Sequence, residues 1–244
     1  SWSSVPAFAR VKAACELAEK KEAVVLLIAR DGSELHVYEE SLRLLTNASS
    51  TLDTVVFPDR ETLPYDHFSP HPDIQSDRLS ALYRMQHVSS GVIVCSISSL
   101  LTRLCPVSHI NNNSLILRKG ETLDLERFTR QLVTIGYQHR ESVYEHGEFT
   151  QRGALLDVFP MGSEYPFRIE LFDREMESFR TFDTETQRSI TQLEEISILP
   201  AAEIALDETG INRFRDSWHT HFSHDPYQCS IYNDVINGIT SAGV

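Results

Sequence analysis

The chain has 244 residues, with 22 Lys and Arg against 35 Asp and Glu, and its formal net charge of −13 argues against a general grip on nucleic acid, which needs a concentrated cationic face. Hydrophobic residues make up 41% and charged residues 23%, an ordinary globular balance, and the length allows one large domain or two modest ones. No run approaches the roughly 18 apolar residues of a membrane span and no charged-then-apolar leader opens the chain, so a soluble protein without membrane contact or export signal is expected.

The first hundred residues alternate between helical and strand patterns. A helix over Ala7 to Glu19 carries Phe8, Val11, Cys15 and Ala18 at helical spacing. Ala23-Val-Val-Leu-Leu-Ile-Ala29 is too short for a helix and rich in β-branched residues, so it reads as a strand buried on both faces. Asp31 or Ser33 caps the next helix, with Leu35, Tyr38, Leu42 and Leu45 on one stripe. A strand at Thr54 to Phe57, a helix near Gln75 to Met85, a strand at Gly91 to Cys95 and a helix near Ser96 to Leu104 repeat the order. Such alternation implies a parallel sheet with helices on its faces.

Asn111-Asn-Asn-Ser114 is a polar, turn-rich stretch suited to a domain boundary. The strand Leu115 to Leu117 follows, and Thr122 caps a helix bearing Leu125, Phe128, Leu132 and Ile135 that Gly136 stops. Strands with an antiparallel look then run over Arg152 to Phe159, Pro166 to Asp173 and Met176 to Asp183, separated by turn chemistry. An α+β insert of about 85 residues is expected. Helical pattern returns around Ile211 to His219. The chain starts at Ser1 without Met and stops after Thr240 to Val244 with no closing element, and is expected to be a piece of a longer protein.

Four cysteines, Cys15, Cys95, Cys105 and Cys229, lack CxxC spacing, which disfavours a zinc knuckle or a disulfide framework and suits a reducing cytosol. A phosphate loop should precede the first helix as GxxxxGK[ST], whose backbone N–H groups cradle phosphate. The stretch Ser1 to Arg10 has neither glycine nor lysine. In Thr62 to Asp73, the residues Asp66, His67, His71 and Asp73 are possible metal ligands, but three prolines stiffen the loop and no spacing puts two ligands on one helical turn. The plain alternative there is a rigid surface loop around a partly buried Tyr65. His219, His221, His224 and Asp225 form a second such group with the same weakness.

The strand Pro166 to Asp173 is the most informative. Alternation puts Phe167, Ile169 and Leu171 on one face and Arg168, Glu170 and Phe172 on the other. The first is expected to be core. The second combines arginine with an aromatic, the composition of a binding hot spot, and Arg152, read as the start of the preceding strand, is placed to join it. Residues 114–199 hold nine of the eighteen arginines but one of the four lysines, and arginine favours forked pairing with carboxylates at interfaces. The alternative is that Phe172 packs under a helix and the arginines pair within the sheet.

Arg152-Gly-Ala-Leu-Leu-Asp-Val-Phe-Pro160, Phe167-Arg-Ile-Glu-Leu-Phe-Asp173 and Phe182-Asp-Thr-Glu-Thr-Gln-Arg188 resemble the N-terminal part of the bacterial transcription-repair coupling factors, the Mfd family. Glu61-Thr-Leu-Pro-Tyr-Asp66, Phe68-Ser-Pro70, Cys105-Pro106 and Glu145-His-Gly-Glu148 extend the likeness over nearly the whole chain. That region in turn is similar to the excision-repair helicase subunit UvrB. The resemblance implies an α/β fold: a RecA-like parallel-sheet domain 1a at 1–113 lacking a phosphate loop, an inserted α+β domain 2 at 114–199, and the start of domain 1b at 200–244.

It further implies that domain 2 docks UvrA through two arginines and a phenylalanine matching Arg152, Arg168 and Phe172. This fragment would then have no catalytic, cofactor-binding or metal-binding residues. ATP and Mg would serve a motor C-terminal to it, RNA polymerase and DNA would bind other regions, a C-terminal segment would mask the docking face, and the setting would be the bacterial cytoplasm. The rival from another class is a nucleotide- or metal-dependent hydrolase domain. On the adaptor reading ATP is not bound, DNA binding is feeble, and truncating the exposed Arg168 or Phe172 leaves the fold nearly unchanged.

Overall fold

The computed structural model describes residues 5–46, 52–62, 68–204 and 206–239. They fall into two units, one from residues 1–60 and 80–107 and the other from 61–79 and 108–244. In the first unit α1 (Ala7–Lys21), β1 (Val24–Ala29), α2 (Gly32–Thr46), β2 (Asp53–Phe57), the second half of α3 (Pro72–Met85), β3 (Gly91–Ser96) and α4 (Ile97–Leu101) follow in order. The strands pair in parallel as β1-β3-β2, and parallel neighbours need long crossovers, which α2 and α3 supply. Val11, Ala14 and Ala18 of α1 share a core with Leu35, Tyr38 and Leu42 of α2 and with Val92 and Val94 of β3. Asp31, of the two expected caps, accepts the Glu34 N–H at 2.9 Å and starts α2.

Three expectations change here. β1 is not buried on both faces: it is an edge strand, and Val24, Leu26 and Ile28 are 41%, 47% and 43% exposed. An unbroken apolar run does not say which strand takes the centre, and β3 takes it. The helix expected to Leu104 ends at Leu101, and Asn111 to Asn113 are not a turn but the last residues of α5 (Val107–Asn113) in the second unit. Asn113 Nδ2 donates to the His109 carbonyl at 2.8 Å, a local side-chain bond that serves a helix end as well as a turn.

The second unit continues with β4 (Leu115–Arg118), α6 (Leu125–Thr134), β5 (Gln138–His139), β6 (Glu148–Arg152), β7 (Leu155–Val158), β8 (Phe167–Phe172), β9 (Glu175–Phe182), β10 (Ser189–Leu193), β11 (Glu195–Ile198), α7 (Glu208–His221) and α8 (Ser230–Ile236). β10-β9-β8-β7-β6-β5 form a six-stranded sheet, antiparallel except for β5 with β6, and β4 pairs antiparallel with β11. α6 starts not at Thr122 but at Asp124, whose carboxylate accepts the Arg127 N–H at 3.0 Å, while Thr122 bridges to Glu175. Phe128, Leu132 and Ile135 are buried, and Gly136, at φ 101, ends the helix in a conformation that costs glycine little. Leu156, Ile169 and Phe179, each 0% exposed, stand opposite one another on β7, β8 and β9 and fill the core face of the large sheet. Arg78, in the first half of α3, is 1% exposed and its Nε meets Glu203 Oε1 at 2.6 Å.

Candidate docking face

The stretch Arg152 to Phe159, expected as one strand, is split into two. β6 ends at Arg152, Gly153 at φ 62 turns the chain, and β7 begins at Leu155. Glycine takes that backbone region at little cost. Arg152 therefore does not open the strand next to β8. It closes β6, with β7 between: Arg152 pairs with Leu155, and Leu155 with Glu170. Directly opposed residues share a face and every second residue returns to it. By this register Arg152, Leu155, Asp157, Arg168, Glu170 and Phe172 share one face, and Ile169 belongs to the other.

The three proposed docking residues are committed to different degrees. Phe172 ends β8 before a two-residue turn in which Asp173 takes φ 57, and it is 76% exposed. The turn is backed by the Leu123 N–H donating to the Arg174 carbonyl at 2.8 Å and the Met176 N–H to the Glu121 carbonyl at 2.9 Å. A large ring is thus held in water on a braced hairpin, and the alternative in which it lies under a helix is excluded.

Arg168 is different. Its side chain is 17% exposed, and its Nε and Nη2 meet the two oxygens of Asp157, itself 1% exposed, at 2.8 and 2.9 Å. Nη2 also donates to Gln187 Oε1 at 3.1 Å, and the guanidinium lies 4.4 Å from the centre of the Phe182 ring. The hydrogen-bonded carboxylate raises the Arg168 pKa above its ordinary value. The expectation that Arg168 is a plainly exposed side chain is therefore overturned, and with it the ground for expecting its removal to leave the fold unchanged. Arg180 likewise pairs with Glu170 at 2.8 Å, so the alternative of arginines pairing within the sheet holds for these two.

Arg152 is exposed, and its Nη2 donates to the Glu141 carbonyl at 3.1 Å and to Ser142 Oγ at 3.4 Å. The sequence reading missed Asp157 and the segment around Glu141. The signal for Asp157 was a lone acid in an otherwise apolar strand, but its partner could be found only from the register.

The other candidate residues are dispersed. Tyr65, Asp66 and His67 lie outside the described residues, as do Ser1 to Ser4 of the stretch tested for a phosphate loop and Thr240 to Val244. His71 Nδ1 is 3.4 Å from Asp73 Oδ2, and Asp73 Oδ1 is 2.9 Å from His146 Nδ1. His219 and His221 are exposed in the last turn of α7, and Asp225 accepts the Tyr227 N–H at 3.1 Å. Among the described residues no group of three or more His, Cys, Asp or Glu is arranged to hold a metal ion, and no helix is long and apolar enough to cross a membrane.

Residues 115–204, which contain the arginine face, match the family model described as the UvrB interaction domain. Over most of its length the chain is similar to transcription-repair-coupling factors. It is 42% identical to that of Escherichia coli (strain K12) over 233 residues, which are 94% of this chain and 20% of the relative. It is 44% identical to that of Haemophilus influenzae (strain Rd) over 205 residues, 83% of this chain and 18% of the relative. For Staphylococcus aureus (strain MRSA252) the figures are 35% over 169 residues, 69% and 14%. The resemblance read from the motifs is thus shown by alignment, and the chain spans about a fifth of the length of the first two relatives.

Proposed function

We propose that this chain is a non-catalytic adaptor that recruits UvrA in transcription-coupled nucleotide excision repair, docking it through the sheet face that bears Arg152, Arg168 and Phe172. The observation that carries this reading is Phe172, 76% exposed on a braced hairpin beside arginines and inside the span matching the UvrB interaction domain. Burying such a ring in a partner's pocket recovers apolar area, and flanking guanidinium groups select a partner with carboxylates around it. On this reading residues 1–113 are a degenerate RecA-like domain 1a, 114–199 domain 2 and 200–244 the start of domain 1b. The whole protein would be an ATP-driven DNA translocase of the bacterial cytoplasm, with its ATP- and Mg-dependent motor, RNA polymerase contact, DNA contact and masking segment outside this region.

The test is a titration of purified UvrA with the 244-residue chain. Wild type should bind and Phe172→Ala should lose about thirtyfold in affinity with its melting temperature kept. No binding by a folded wild-type chain would sink the adaptor reading. Calorimetric titration with ATP separates it from the hydrolase reading, which requires saturable binding.

A further inference from the structure

Glu148, the first residue of β6, belongs to the Glu145-His-Gly-Glu148 motif that the docking reading leaves without a role. Its side chain is 15% exposed. Oε2 accepts the backbone N–H groups of Tyr144 and Glu145 at 2.9 and 3.0 Å, and Oε1 accepts Arg140 Nε at 3.1 Å. Residues 140–147 have no helix or strand of their own. Backbone bonds from the Arg140 N–H to the Phe149 carbonyl and from the Gly147 N–H to the Phe159 carbonyl tie the ends of the segment, and the carboxylate fixes its middle by satisfying donors that would otherwise need water.

That segment lies on the arginine face. Val143 is 2% exposed and packs with Phe159 and Phe182, whose ring carries the Arg168 guanidinium. The Glu141 carbonyl accepts both Thr150 Oγ1 at 3.4 Å and Arg152 Nη2 at 3.1 Å, and Ser142 Oγ accepts Arg152 Nη2 at 3.4 Å. Arg152 thus rests on a segment folded around Glu148, and the same segment packs against the ring that lies under Arg168. Among the described residues Nε and Nη1 of Arg152 have no hydrogen-bond partner, so the held guanidinium keeps two nitrogens for a ligand.

We propose that Glu148 is a positioning residue for partner docking: by organising residues 140–147 it holds the Arg152 guanidinium ready for a partner's carboxylate. The proposal rests on the reading of this face as the UvrA-docking surface. An arginine that must be ordered on binding gives up rotamer freedom at that moment, whereas one already held has given it up in folding.

The experiment titrates UvrA into the wild-type 244-residue chain, Glu148→Gln, Arg152→Ala, Phe172→Ala and the two double variants that contain Glu148→Gln, with a thermal melt of each. Glutamine keeps the size but sets an amide N–H₂ among donors. Glu148→Gln should weaken binding about fivefold, the order of one newly ordered side chain. The fivefold loss should vanish in the Arg152→Ala background and persist in the Phe172→Ala background. Unchanged affinity, or an equal loss in both backgrounds, overturns the proposal. Ser142→Ala removes only one acceptor of Arg152 and should give a smaller loss with the same dependence on background, which keeps the test valid if Glu148→Gln does not fold. A readout independent of UvrA is the ¹⁵N relaxation of Arg152 Nε in the free chain. Glu148→Gln should make it more mobile, and wild-type rigidity there overturns the proposal even where UvrA does not bind, an outcome that counts against the adaptor reading instead.

Discussion

Arg168 on β8 and Asp157 on β7 stand directly opposite each other and meet as a fork, at 2.8 and 2.9 Å. The acid is 1% exposed and the base 17%. A carboxylate so deeply placed depends on its arginine, so a residue proposed for docking is also part of the fold.

Removing either partner should destabilise the protein by about 3 kcal/mol, as for other broken buried pairs. Arg168→Ala should cost more than Asp157→Ala, because it strands the more deeply buried charge, while a stranded arginine can reach water. Arg168→Lys should fall between wild type and alanine, having one ammonium where the fork had two donors. Urea unfolding of the three variants decides it, and equal midpoints for Arg168→Ala and wild type would show that the pair contributes nothing.

The two faces of β8 should separate stability from binding. Ile169 is 0% exposed, and Ile169→Ala should lose about 2–5 kcal/mol of stability through lost burial and a cavity. Phe172→Ala should shift it by no more than about 0.5 kcal/mol. Thermal melts side by side suffice, and a Phe172→Ala curve as early as that of Ile169→Ala would mean that the ring is core.

Arg78 and Glu203 form a second buried pair, with side chains 1% and 7% exposed and atoms 2.6 Å apart. Glu203→Ala should cost about 3–5 kcal/mol, and methionine at position 78 together with leucine at 203 should recover much of that loss by removing both charges. Denaturant midpoints for the single and double variants test this. A double variant less stable than Glu203→Ala would contradict it.

Glu34 links the fold to pH. The Arg30 N–H, donating to its Oε2 at 2.8 Å, and then Arg10, at 2.9 Å, hold its pKa below the ordinary 4.5 against the opposing effect of burial. A depressed carboxylate contributes stability that is fully present above its unfolded pKa and is lost as pH falls through the folded value. Melting temperature should therefore drop on acidification below about pH 4.5, and the drop should be shallower in Glu34→Gln. Parallel curves for the two proteins would remove Glu34 from the account.

The sequence by itself determined the features governed by local geometry. Side chains alternate on a strand, so the two-residue period alone assigns Phe167, Ile169 and Leu171 to the core and Arg168, Glu170 and Phe172 to the other face. Glycine tolerates positive φ, so Gly136 could be read as the end of α6. Alternating helical and branched runs were enough for a parallel sheet in the first unit. What only the tertiary structure decided was who meets whom. Arg168 finds Asp157 eleven residues away through the register of β7 with β8, and a turn at Gly153 that the sequence reading missed separates β6 from β7. Arg152 is one strand farther from β8 than its position in the chain suggested. β1, as apolar as a central strand, lies at an edge. Pairing partners, strand order and burial depend on contacts between residues far apart in the chain, and these are chosen by the packing of the whole core rather than by the period of any one segment.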